Sequence, residues 1–455
     1  LASVWQDKIV NEGRRRKAFV EYLKSRQINL AAVPDMDASE LLSNPSVAII
    51  TEAAQQSVIA SEIAKPARQT LPEVEPGKRL IIRSTAEAVT YLNKYKLISF
   101  DVFDTLLVRD IYSPEDVFTF AARHAQNLIK DSKFDHRDFR IRSEQYARKS
   151  SPHQDVTIDE IYSHYLLMTG VAADIVEEIK RYEIETEGKF LRARESAKMV
   201  FNSARSQGLN IVIMSDFYMS GQVIRRYLES AGYDLSGVRL FVSSELGLSK
   251  KDGHLYDHVA QTMGVAPGEV LHFGDNFVVD TKMALKHGVH SIHIASPKVT
   301  LDLAPKLKDY LAGVKQNQVG QRSLEWSFML GGVINGLFDD HFAPRLDSAF
   351  AQNPYRFGYA VLGPLLASYT SWLRAQVEQN PTDVLLFLAR DGWVMKDAFD
   401  AYQRIVPLKK DVPTQYIAAS RRMMDIMALA DDFENVTRIV NARYTSGKLS
   451  EFLSI

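Results

Sequence analysis

A recurrence constrains this chain more than any single motif: short apolar runs, each leading within two residues to a hydroxyl or charged residue, with helix-like stretches between them. The runs are residues 97–100, 209–214, 240–244, 270–273 and 291–294. Their continuous apolar character is that of strands covered on both faces. Helical patterns fill residues 221–231, 254–263 and 280–287. Strands alternating with helices predict an α/β fold with a parallel sheet. In such a sheet, ligands sit beyond the carboxyl ends of the strands.

What stands at those ends is therefore the chemistry on offer. The first run leads into Asp101, Phe103, Asp104 and Thr105, and the second into Ser215 and Asp216. Lys250 and Lys251 follow the third, while the fourth leads into Gly274, Asp275 and Asn276, with Asp280 further on. Carboxylates suit a hard cation such as Mg2+, and a small hydroxyl and an ammonium suit phosphate oxygens. The set fits Mg2+-assisted phosphoryl transfer.

Composition narrows the classes. At 455 residues the chain exceeds one ordinary core, so several domains are expected. A formal net charge of -1 gives no field for a dedicated nucleic-acid partner. The chain has no cysteine, which excludes disulfides, thiolate metal sites and a Cys nucleophile and fits a cytoplasmic setting. No run approaches the roughly 20 apolar residues of a membrane span. Residues 326–338 come nearest and are expected to form a buried helix. No secretory signal is visible, and a chain that begins at Leu1 is expected to be a piece of a longer polypeptide.

The expected organisation has four parts. Residues 1–78 read as a helical region with a Pro-rich linker at 65–78, its basic run Arg14 to Lys17 being a solvated helix face. Residues 79–112 and 208–315 form the α/β core. Residues 113–207 form a helical insertion without strands, opened by Ser113 as N-cap and Pro114 as first helical residue. Residues 316–455 form a mainly helical α/β domain whose one strong strand, 384–388, leads into Arg390, Asp391 and Gly392. That junction suits either an anion at a helix start or an internal ion pair.

The strand-end set over about residues 97–296 resembles the haloacid dehalogenase (HAD) superfamily, most of whose members are phosphatases. The resemblance implies a Rossmann-like parallel core with a helical cap inserted after the first strand. It implies Asp101 as the nucleophile that forms an aspartyl-phosphate. Ser215 and Lys250, with Lys251 as its rival, would hold the transferring group, and Thr105, Asp216 and Asn276 would complete the substrate contacts. Asp101, the carbonyl of Phe103, Asp275 and Asp280 would ligate Mg2+. One departure stands out: Phe103 occupies the place of the usual acid–base Asp. Asp104, one residue later, is expected to supply that carboxyl. Arg109, Arg140, Arg142, His153 and Arg192 to Arg194 are basic candidates to reach the substrate, each more readily explained as surface.

The strings around Asp101, Met214–Tyr218, Gly247–Lys250 and His272–Asn276 are similar to one bacterial group, the large predicted HAD hydrolases associated with glycosyltransferases in surface-polysaccharide loci. That implies a phosphorylated sugar or glycan intermediate as substrate and a fused or neighbouring glycosyltransferase as partner. The competing expectation is a catalytically weak HAD-like module that binds a phosphorylated ligand or scaffolds a fused glycosyl or phosphoribosyl transferase.

Overall fold

A computed structural model describes residues 80, 82, 84–153, 155–302, 324–342, 353–389 and 391–418. The expected N-terminal region, residues 1–78, lies outside them, as does Arg390. The described chain opens with helix α1 (Thr85–Tyr91) and strand β1 (Leu97–Phe100), then a short strand β2 (Leu107–Arg109). Four helices follow: α2 (Asp116–Ile129), α3 (His136–Ser150), α4 (Ile158–Thr169) and α5 (Ala173–Phe190). Strand β3 (Leu191–Ala193) returns the chain to α6 (Glu195–Ser206), β4 (Asn210–Ser215), α7 (Gly221–Ser230) and β5 (Arg239–Val242). Helix α8 (His254–Met263), β6 (Val270–Gly274) and β7 (His290–His293) complete the core.

Five of these strands form one sheet in the order β5-β4-β1-β6-β7, with every pairing parallel. β1 and β6 are buried along their whole length, as their apolar character requires. The rings of Phe100 and Phe273, paired in register, stack at 5.0 Å. From β1 the chain builds outward through β4 to β5, then crosses back to β6 on the other side of β1. The strand order thus reverses beside β1, and that switch point is where a doubly wound sheet opens a crevice.

Helices α2 to α5 form the insertion, and one carboxylate organises three of them. Glu183 of α5 accepts from Arg140 of α3 at 2.9 Å and from the Tyr162 hydroxyl of α4 at 2.6 Å, all three side chains being buried. Such a pair is tolerated inside a domain because its hydrogen bonds are satisfied.

The sequence pattern puts no strand in this insertion, yet β2 and β3 pair antiparallel across its base. Runs of three residues are too short to show a period. Helix α6, inside the expected cap range, packs against α1 and β4 on the core side. The first cap helix starts at Asp116 and not at Ser113, because the Asp116 carboxylate accepts from the Ser113 amide at 3.3 Å and folds the Ser-Pro segment into a turn ahead of it. Residues 277–283 form a π-helical turn in place of a regular helix start.

Beyond the core lie α9 (Leu324–Phe338), α10 (Gly363–Gln379), β8 (Leu385–Leu388), α11 (Gly392–Ile405) and β9 (Thr414–Ile417). β8 and β9 pair parallel, joined through α11. β9 had no strong sequence signal.

Candidate active site

The carboxyl ends of β1, β4 and β6 bring Asp101, Ser215 and Asp275 to one crevice, and the segment after β5 adds Lys250. Lys250 Nζ donates to Asp101 Oδ1 at 2.6 Å and to Asp280 Oδ1 at 2.7 Å. Its side chain is 2% exposed, so this ammonium can be charged only because two carboxylates surround it. Burial would lower its pKa, but Asp101 and Asp280 outweigh that and hold it well above the usual value. Lys251, the rival, is exposed.

Both partners of Lys250 are braced. The Asp101 amide donates to the Phe273 carbonyl at 2.8 Å, tying β1 to β6 at Asp101. Asp280 Oδ1 also accepts from His272 Nε2 at 3.1 Å, which leaves His272 Nδ1 to accept from Ser99 Oγ at 2.9 Å. The Asn276 amide donates to Asp280 Oδ2 at 3.0 Å. A Cβ at Gly274 would lie 2.4 Å from Asp280 Cβ, so only glycine lets the turn close this tightly.

Asp101, Asp275 and Asp280 carry carboxylate oxygens within 4.8 Å of one another. Burial pushes the Asp101 carboxyl up to about 7 against the pull of Lys250. Burial also raises Asp275, reinforced by Asp104, Asp101 and Asp280. No hydrogen bond or ion pair from a described residue reaches the Asp275 carboxylate. Clustered hard oxygen donors with more negative charge than Lys250 can balance fit a divalent cation such as Mg2+.

The remaining candidates fall into distinct places. Ser215 is 1% exposed at the end of β4, and Thr105 is fully buried with its hydroxyl unpartnered among the described residues. Both Asp216 oxygens accept from the Lys250 amide at 2.9 Å, so this residue, expected among substrate contacts, anchors the lysine's backbone. Asn276 Oδ1 is likewise engaged, capping the π-helical turn through the amides of Val278 and Val279 at 3.0 and 3.1 Å.

The Phe103 ring lies 4.1 Å from that of Phe217, and the Arg109 guanidinium sits 4.5 Å over it. Asp104, half-buried, has φ 60, its amide bonded to the Leu107 carbonyl at 2.7 Å. Of the basic candidates, Arg140 is sealed against Glu183 and Arg109 is buried against Glu187 at 2.7 Å. Arg192 pairs with Asp110, and Arg142 lies exposed beside Asp138. Arg194 is wholly buried. Ser99 and His272 escaped the sequence reading because they stand inside apolar runs. A polar residue facing another across two paired strands was the available signal.

A known protein family matches the same segment. Residues 95–288 match the family model described as haloacid dehalogenase-like hydrolase. A predicted phosphoglycolate phosphatase from Haemophilus somnus 129PT is 14% identical, covering 45% of this chain and 86% of its own, with TM-score 0.32. A 2-haloacid dehalogenase from Pseudomonas syringae pv. Tomato DC3000 is 15% identical, covering 45% and 87%, with TM-score 0.36. A HAD family enzyme from Bacteroides thetaiotaomicron, in complex with magnesium and inorganic phosphate, is 13% identical, covering 44% and 95%, with TM-score 0.32. No curated protein matches the chain. The family match thus supports a haloacid dehalogenase-like hydrolase over residues 95–288, carried on the five-stranded parallel sheet.

Proposed function

We propose that this segment is a Mg2+-dependent phosphohydrolase with Asp101 as its nucleophile. The observation that carries the reading is the buried Lys250 ammonium held between Asp101 and Asp280, beside an Asp275 carboxylate that no donor among the described residues reaches. Asp101, Asp275, Asp280 and the Phe103 carbonyl would hold the ion, which when bound neutralises developing charge on the phosphoryl oxygens.

The protein's own groups do the rest. An Asp101 oxygen attacks phosphorus, the bond to the leaving oxygen breaks, and an aspartyl-phosphate forms. Lys250, Ser215 and Thr105 hold the phosphoryl oxygens. Phe103 has no proton to give. The Asp104 carboxyl protonates the leaving oxygen, then takes a proton from the water that attacks phosphorus, releasing inorganic phosphate and regenerating Asp101. Such proton transfer is worth about 10²–10⁴ in rate. The cap helices exclude bulk water from the crevice.

A phosphorylated sugar or glycan substrate, a neighbouring or fused glycosyltransferase, and a cytoplasmic role in surface-polysaccharide synthesis are supported by motif resemblance alone. The Phe103–Phe217 packing favours a second reading, a module that binds a phosphorylated ligand without turning it over.

A sugar-phosphate panel with Mg2+ separates the two, run beside Asp101→Asn and Asp275→Asn. Phosphate release lost in both variants is the expected result. Tight binding of a panel member without release would establish the binding module.

A further inference from the structure

Arg140 and Arg194 are the two largest fully buried side chains among the described residues, and their surroundings differ. Arg140 faces a carboxylate. Among the described residues Arg194 donates only to backbone carbonyls: Nη1 to Asp104 at 2.8 Å and Ile294 at 3.1 Å, Nη2 to Ala295 at 2.8 Å, and Nε to Asp339 at 2.9 Å. A buried guanidinium is costly without a contacting counter-charge. Here it closes on three separate chain segments, and one of them is the turn that carries Asp104. A left-handed conformation at a non-glycine residue persists only where its surroundings over-determine it.

The hold on Arg194 comes from outside the family-matched segment. Asp339 follows α9 directly. Its carboxylate accepts from the amides of Glu195 and Ser196 at 3.1 and 2.8 Å, and its carbonyl takes Arg194 Nε and Ser196 Oγ. Those residues mark where the cap returns to the core. The same helix also grips the outbound crossing. Asn335 Nδ2 donates to the Arg109 carbonyl at 2.7 Å and to Asp110 Oδ1 at 3.1 Å, and the Tyr112 amide donates to Ser327 at 3.0 Å. A Cβ at Gly331 would lie 2.5 Å from the Ile111 nitrogen, so the helix is pressed onto the crossing itself.

We infer that Arg194 is a positioning residue for Asp104, and that α9 with Asp339 forms a clasp that keeps Arg194 and both cap crossings in place. The inference rests on the proposed function only for the role of Asp104.

The test uses the full chain with Arg194→Lys and Asp339→Ala. Amide exchange is read at Asp104, Leu106 and Leu107, and kcat and KM are read with Mg2+ on phenyl phosphate and p-nitrophenyl phosphate. A lysine cannot reach four carbonyls, so these three amides are expected to exchange about tenfold faster or more, with β1 unchanged. On phenyl phosphate, whose leaving group needs the proton, kcat is expected to fall about tenfold or more with KM little changed, and by much less on p-nitrophenyl phosphate.

A folded Arg194→Lys with wild-type exchange overturns the inference, and so does an equal loss on both esters, the mark of general structural damage. If that variant does not fold, Asp339→Ala decides: faster exchange at the same amides supports the clasp, and unchanged exchange overturns it. Exchange needs no turnover. A wild type that releases no phosphate therefore counts against the proposed function alone.

Discussion

Lys250 and Asp101, 149 positions apart in sequence, meet at 2.6 Å in the floor of the crevice. Lys250 is held charged there by Asp101 together with Asp280, since both the lysine and Asp101 are nearly excluded from water. Lys250→Met is therefore expected to destabilise the fold by about 3–5 kcal/mol, because it leaves Asp101 and Asp280 facing each other. Denaturant unfolding of the variant measures this. Phosphate release should fall with it, and Lys250→Arg should not restore release, since the planar fork does not fit a point-charge site.

Gly274 offers a second check. Gly274→Ala brings a Cβ to 2.4 Å from Asp280 and must push that carboxylate away from Lys250 and His272. A loss of about 1–3 kcal/mol is expected from the overpacking, read as a lower melting temperature. Phosphate release should fall as well, although alanine is the smallest possible change.

Metal binding gives a readout that needs no substrate. If Asp101, Asp275 and Asp280 share a cation, Mg2+ at about 100 times its Kd adds about 2.7 kcal/mol to stability. Thermal melts with added Mg2+ and with a chelator measure the difference. Asp275→Asn should abolish the increment while leaving the metal-free melt nearly unchanged or raised, because it removes a carboxylate that no donor among the described residues offsets.

The cap carries its own pH dependence. His136 is fully buried, with Nδ1 bonded to the Tyr165 hydroxyl at 2.9 Å and Nε2 unpartnered. Burial, reinforced by Arg140, pushes its pKa down to about 3 from an ordinary 6.5. The folded state then binds fewer protons than the unfolded chain between those values, so this contribution is intact above pH 6.5 and lost as pH falls toward 3. A slope of at most about 1.4 kcal/mol per pH unit is expected in that window. His136→Phe should flatten it in denaturant unfolding measured from pH 7 to pH 4.

The Arg140–Glu183 pair separates a buried charge from buried volume. Arg140→Met alone leaves Glu183 unmatched and is expected to cost about 3–5 kcal/mol. Adding Glu183→Leu should recover a large part of that, a coupling that a double-mutant cycle in denaturant measures.

Much of this is legible in the sequence. The apolar character of the runs before Asp101, Ser215 and Asp275 is local, and a parallel sheet puts the ends of its strands on one edge, so the meeting of those residues followed from their order. The insertion's helices were readable for the same reason. What only the tertiary structure decided is what depends on partners far along the chain. Ser99 and His272 became a relay to Asp280 through sheet register. Asp216, expected as a substrate contact, receives the Lys250 amide because that backbone came within its reach. Arg194 became a buried brace on Asp104 only once Asp339 had folded back across the cap return. A residue's type sets what it can bond, but burial and neighbours set whether it must, and those neighbours can lie 226 residues away.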